Sequence, residues 1–186
     1  MALRGLDYST GRVIVNRTVA ATVTRGLNVE DAEQIFADGR QALERGSLFR
    51  AITSLTQAVI LNPIRAPYYE TLGVALLAKK KTQYAEAAFR TALDLQPDLI
   101  LAHRKIGLIL ADDNRVDEAV RHFQQVLELD PTMGSMHVRI AILRYYQDRL
   151  DESRHHLRQA EILGAAVPPQ FAALLYAPPR QRRDRD

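Results

Sequence analysis

Chemistry in this chain would have to come from histidine, carboxylate or hydroxyl groups, because its 186 residues include no cysteine. That absence removes disulfides, thiolate metal ligation and cysteine nucleophiles together. Five histidines remain. His155 and His156 are neighbours and point in different directions on a helix. His103 and His137 occupy equivalent places in the first helices of successive repeats, where packing between helices explains them. No His-Glu-x-x-His or similar ligand spacing occurs. Asp112-Asp113 and Asp117-Glu118 are carboxylate pairs, but they flank a helix turn, where solvated caps are the ordinary use of acids. There is no Gly-x-Ser-x-Gly elbow and no glycine-rich phosphate loop. These residues predict no catalysis, no metal site and no cofactor.

Composition points the same way. Apolar residues make up 47% and charged residues 25%, enough for a core and too polar for a membrane-embedded chain. No run of about eighteen apolar residues predicts a transmembrane helix. Arg12, Asn16 and Arg17 interrupt the only stretch resembling a secretory signal, so a cytoplasmic location is expected. The net charge of +3 is concentrated at the ends. Residues 1–29 hold four Arg and one Asp, and residues 177–186 hold four Arg and two Asp. The body between them is slightly acidic, which predicts no specific nucleic-acid surface.

The elements that must position any site follow from an internal period. Pro63, Pro97 and Pro131 are spaced by 34 residues. Gly39, Gly73 and Gly107 keep that step, followed by Ala141. Ala51, Ala85 and Ala119 keep it, followed by Ser153. Leu55, Phe89, Phe123 and Leu157 form a large apolar column. Ala58, Ala92, Val126 and Ala160 form a small one. Small residues let two helix backbones approach, the large column is expected to fill the gap between neighbouring units, and proline ends each unit. One helix pair alone cannot bury its apolar stripe, so the units must stack.

Residues 66–97 read Y-x-x-L-G-x-x-L followed by A-x-x-x-F-x-x-A-x-x-x-x-P, and His103 to Pro131 repeats the pattern. In spacing and residue type this resembles the tetratricopeptide repeat. The resemblance implies an all-α fold, a right-handed superhelix of antiparallel helix pairs. Repeats are expected at 32–65, 66–99, 100–133 and 134–167, with a capping helix at 168–176. The expected helices are 29–45, 48–61, 66–79, 82–95, 100–113, 116–129, 134–147 and 150–163, with Asn28 capping the first. Residues 1–28 read as an arm or extra helix, and 177–186 as a disordered basic tail.

In the family the first helix of each repeat lines a concave face. Carried over by alignment, the lining is Glu33, Phe36, Ala37, Arg40 and Glu44, then Pro67, Glu70, Thr71, Val74 and Leu77. It continues with Leu101, Arg104, Lys105, Leu108 and Asp112, then Ser135, Val138, Arg139, Ile142 and Tyr145. The partner-binding groove is expected at Phe36, Arg40, Glu70, Val74, Leu77, Arg104, Lys105, Leu108, Arg139, Ile142 and Tyr145. Co-chaperones of this family hold a C-terminal carboxylate with a Lys, Asn, Asn, Lys, Arg clamp. Those places here carry Phe36, Arg40, Thr71, Leu101 and Lys105, so the two-pronged clamp is missing.

The expected function is a non-catalytic adaptor or assembly scaffold. Its groove would hold a peptide or amphipathic helix of another protein, with acidic residues to complement the basic lining. The alternative is a self-assembling scaffold, a homo-oligomer in which the apolar segment 13–23 enters a neighbour's groove. A chaperone for secreted substrates and an accessory subunit of a larger complex are further alternatives.

Overall fold

The computed structural model describes residues 6–7, 12–13 and 29–177. Among them are nine helices. These are α1 (Val29–Glu44), α2 (Leu48–Leu61), α3 (Ala66–Ala78), α4 (Thr82–Leu95), α5 (Ile100–Asp112), α6 (Val116–Leu129), α7 (Gly134–Tyr146), α8 (Leu150–Ile162) and α9 (Pro169–Tyr176). The class is all-α, built from helix pairs, with every boundary within one residue of the expected one. Two short strands, β1 (Leu6–Asp7) and β2 (Arg12–Val13), pair antiparallel with Leu6 opposite Val13, and β2 lies against α4. Apart from these two strands, the arm or extra helix expected at residues 1–28 lies outside the described residues, as do the Asn28 cap and all but the first residue of the basic tail.

The chain divides into two compact units, residues 1–109 and 110–186, with the division inside α5. In the first unit α1 packs on α2, α3 on α4, and α2 joins the two pairs by packing on α3. The repeating columns are the contacts. A Cβ placed on Gly39 would lie 2.8 Å from Leu55 Cγ, and one on Gly73 would lie 2.8 Å from two Phe89 ring carbons. Glycine is therefore required at both sites for the large side chain to reach the facing helix. Leu55, Phe89 and the flanking alanines Ala51, Ala58, Ala85 and Ala92 are fully enclosed.

In the second unit α7 packs on α8, α6 on α7 and α9 on α8. Serine replaces alanine at 153, and its buried hydroxyl donates to the Ala141 carbonyl oxygen at 2.7 Å. The polar substitution is tolerated because its hydrogen bond is made. Proline in the first turn of α9 forfeits no helical hydrogen bond there. Leu175 of α9 is buried with Ala141 and Leu157, and Tyr145, Leu150, Val167 and Phe171 close around it.

The turn after each first helix is the same object four times. Gly46, Lys80, Asn114 and Asp148 have φ of 73°, 59°, 60° and 59°. In each turn the next residue's N–H donates back to the carbonyl five residues earlier, as Ser47 to Ala42, Lys81 to Leu76, Arg115 to Leu110 and Arg149 to Arg144. This is the left-handed helix stop that glycine adopts most easily. Only the first turn has glycine. Lys80→Gly should therefore raise stability by roughly 0.5–1 kcal/mol, read as a higher urea midpoint. No gain would mean that Lys80 does not hold this backbone conformation in solution.

Candidate partner-binding surface

The first helices of the first unit are split lengthwise by helical periodicity. On α3, Tyr68, Tyr69, Leu72, Gly73, Ala75 and Leu76 are buried, whereas Glu70, Thr71, Val74 and Leu77 are half-buried and Pro67 is exposed. On α1, Phe36 is half-buried and Arg40 exposed. The part of α5 in this unit buries Ala102, His103 and Ile106 and leaves Arg104, Lys105 and Leu108 half-buried. His103 is held inward, with Nε2 3.0 Å from the Pro97 carbonyl oxygen.

Two features stand out on this face. The Phe36 ring stacks on Tyr68 with centroids 4.5 Å apart, and the Arg40 guanidinium lies 5.9 Å from the Phe36 centroid. That is a cation–π arrangement on an aromatic platform. The buried Tyr68 hydroxyl has its pKa pushed up, first by burial and then by Glu33, while Arg65 acts oppositely. Arg65 and Glu33 pair with each other at 2.9 Å. The second feature is Glu70. Its Oε1 is shielded from solvent and has no hydrogen-bond partner. Burial raises its carboxyl pKa, and the backbone N–H of Ala102, in the first turn of α5, opposes that rise.

In the second unit Arg139 is exposed and Ile142 half-buried. Tyr145 is half-buried and packs edge-on against Phe171 of α9, with centroids 5.7 Å apart, so its ring is partly taken up by the cap. Val138, which alignment assigns to the lining, is buried.

This unit also holds two clusters that sequence reasoning misses. Arg144 is buried at the end of α7. Its Nη1 donates to Asp117 Oδ1 at 2.8 Å and to Gln147 Oε1 at 2.6 Å. Its Nε lies 3.2 Å from Glu152 Oε2 without hydrogen-bond alignment. The arginine hydrogen bond, then that from Gln147, holds the Asp117 carboxyl below its usual range. Asp117 thus pairs with Arg144 and Gln147, while its neighbour Glu118 pairs with Arg115 at 2.7 Å. The available signal is the acidic first turn of α6 and α8, Asp117-Glu118 and Asp151-Glu152, recurring at the repeat step. The other cluster joins His137 of α7 to His156 of α8, with Nδ1 atoms 2.9 Å apart, and His155 edge-on to His156. Among the described residues no group of three or more His, Asp or Glu could hold a metal ion, and no helix is long and apolar enough to cross a membrane.

Comparison with known proteins agrees with the repeat. Two tetratricopeptide repeat models match the chain, one over residues 36–100 and the other over residues 100–133. The chain belongs to the tetratricopeptide repeat family. No curated protein matches it. Among solved structures, the crystal structure of MamA is 21% identical, with 79% of this chain and 85% of that one covered and a TM-score of 0.70. The tetratricopeptide repeat domain of Arabidopsis OM64 is 26% identical over 63% of this chain and 98% of that one, with a TM-score of 0.60. The first such domain of Spaghetti (RPAP3), bound to an HSP90 peptide, is 19% identical over 65% and 96%, with a TM-score of 0.61.

Proposed function

We propose that this tetratricopeptide repeat protein is a non-catalytic adaptor that holds a segment of another protein on the exposed side of its first helices. The observation that carries the reading is the side of α1, α3 and α5 left outside the core of the first unit. Phe36, Val74, Leu77 and Leu108 keep apolar surface accessible there, beside Arg40, Arg104 and Lys105. Apolar side chains supply binding energy in proportion to the area they bury, and the cations orient an acidic partner. In the second unit Arg139, Ile142 and Tyr145 are the corresponding candidates. Related folds that hold peptides support the reading, namely the Spaghetti domain with its HSP90 peptide and YrrB, described as having an unusual peptide-binding site.

The test is capture of partners by wild-type protein and by Arg104→Glu combined with Val74→Glu, followed by affinity measurement on the captured protein. The double variant should bind about tenfold more weakly, since one reversed charge and one lost apolar contact together are worth about 1.4 kcal/mol or more. An unchanged set of partners at unchanged affinity would remove this surface from the function.

A further inference from the structure

Glu70 is the acidic residue on this face whose carboxylate keeps one oxygen without a partner. Its side chain is half-buried on α3, and Oε1 is sealed from water with no donor. A carboxylate oxygen withdrawn from water without a hydrogen bond is destabilising. The group that faces the carboxylate is the Ala102 N–H at the positive end of α5. Among the described residues no arginine or lysine pairs with it. The positions one repeat before and one repeat after Glu70 are Phe36 and Arg104, so equivalent places on α1, α3 and α5 carry an aromatic, an acid and a base in that order.

We propose that Glu70 is an acidic subsite that takes an arginine or lysine side chain of the bound segment, while Arg104 and Lys105 take an acidic side chain of the same segment. The proposal rests on the groove reading above and narrows its partner. A cation brought beside the half-buried side chain favours the ionised carboxylate without having to touch the sealed oxygen, and offsets its loss of water. Neighbouring helices lie about 8–10 Å apart, and an extended chain rises about 3.3 Å per residue. The basic and acidic residues of the ligand are therefore about three positions apart. An all-acidic segment would meet Arg104 favourably and Glu70 unfavourably, so the mixed order separates this surface from one that reads acidic charge alone.

The experiment is selection of random linear peptides displayed on phage against full-length wild-type protein and against Glu70→Gln, which keeps shape and removes charge. Circular dichroism checks that the variant is folded. Wild type should enrich peptides with Arg or Lys about three positions from Asp or Glu. By fluorescence anisotropy, the best such peptide should lose about tenfold in affinity on Glu70→Gln, the range of a charge-assisted hydrogen bond. Replacing its basic residue by norleucine should cost wild type a similar factor and the variant little. Two results overturn the subsite while leaving the groove intact: enriched peptides with no basic position, or a basic preference equal in both proteins. Failure to enrich any peptide would remove the groove reading itself.

Discussion

Phe89→Ala should lower the free energy of unfolding by about 3–5 kcal/mol, the range for emptying a fully buried aromatic site. For a chain of this size that corresponds to a fall in Tm on the order of 10 °C. The magnitude follows from the contact with Gly73, where a single added Cβ would stand 2.8 Å from the ring. With so little space on the glycine side, the cavity left by alanine is bounded by two backbones and cannot close by small shifts. Phe89→Leu keeps most of the volume and should cost about 1.5 kcal/mol or less. Urea unfolding followed by far-ultraviolet circular dichroism measures both. An alanine variant within about 1 kcal/mol of wild type, against the expected 3–5, would mean that Phe89 is not the closure of the α3–α4 pair.

Acidification should weaken the second unit through the His137–His156 contact. With the two Nδ1 atoms 2.9 Å apart, one imidazole donates and the other accepts, which requires one unprotonated nitrogen at the contact. His156 has its pKa lowered to about 4, first by burial, then by His137, His155 and Arg144, with Glu152 acting the other way. His137 is lowered as well, by burial and by His155. The unfolded chain titrates near the ordinary value of about 6.5, so between that pH and about 4 it binds more protons than the folded chain does. Stability is therefore fully present above pH ~6.5 and is lost as pH falls through this window. Allowing for solvent screening of a half-exposed pair, the loss should reach roughly 2 kcal/mol. Urea midpoints at pH 7 and pH 5 for wild type and for His156→Asn measure it. The asparagine variant should lose most of the pH dependence; equal slopes in the two proteins would exclude this pair as its origin.

The helices were legible because each column has one physical task. Proline ends a unit, glycine admits Leu55 or Phe89, and the small residues set the approach of the pairs. Tasks that repeat leave a period, and the period locates the helix ends. The exposed side of the first helices was legible for the same reason, since positions such as Arg40, Val74 and Leu108 are one repeat apart. Contacts belonging to one repeat alone left no such trace. Glu70 meets a backbone N–H 32 positions away, and His137 meets His156 only because α8 folds back on α7. Val138 is buried although Phe36, Glu70 and Arg104 at the equivalent positions are not, because alignment gives a position and the local packing decides its depth. The side chain of Arg144 was hidden by its type, since arginine is seldom buried without acids gathered around it.

The recurring left-handed turn also bears on how such a chain can change length. Gly46, Lys80, Asn114 and Asp148 take the same left-handed φ at positions separated by one whole repeat. A cut at any one of them therefore meets, at any other, an end of matching geometry. Duplicating or excising a multiple of 34 residues between two such cuts keeps every later helix in phase with its columns. An insertion inside a helix, by contrast, would rotate Phe89 or Leu157 away from the small residue that receives it. The turns thus act as joints at which whole units can be exchanged while the faces they present, such as the one around Glu70, are varied independently.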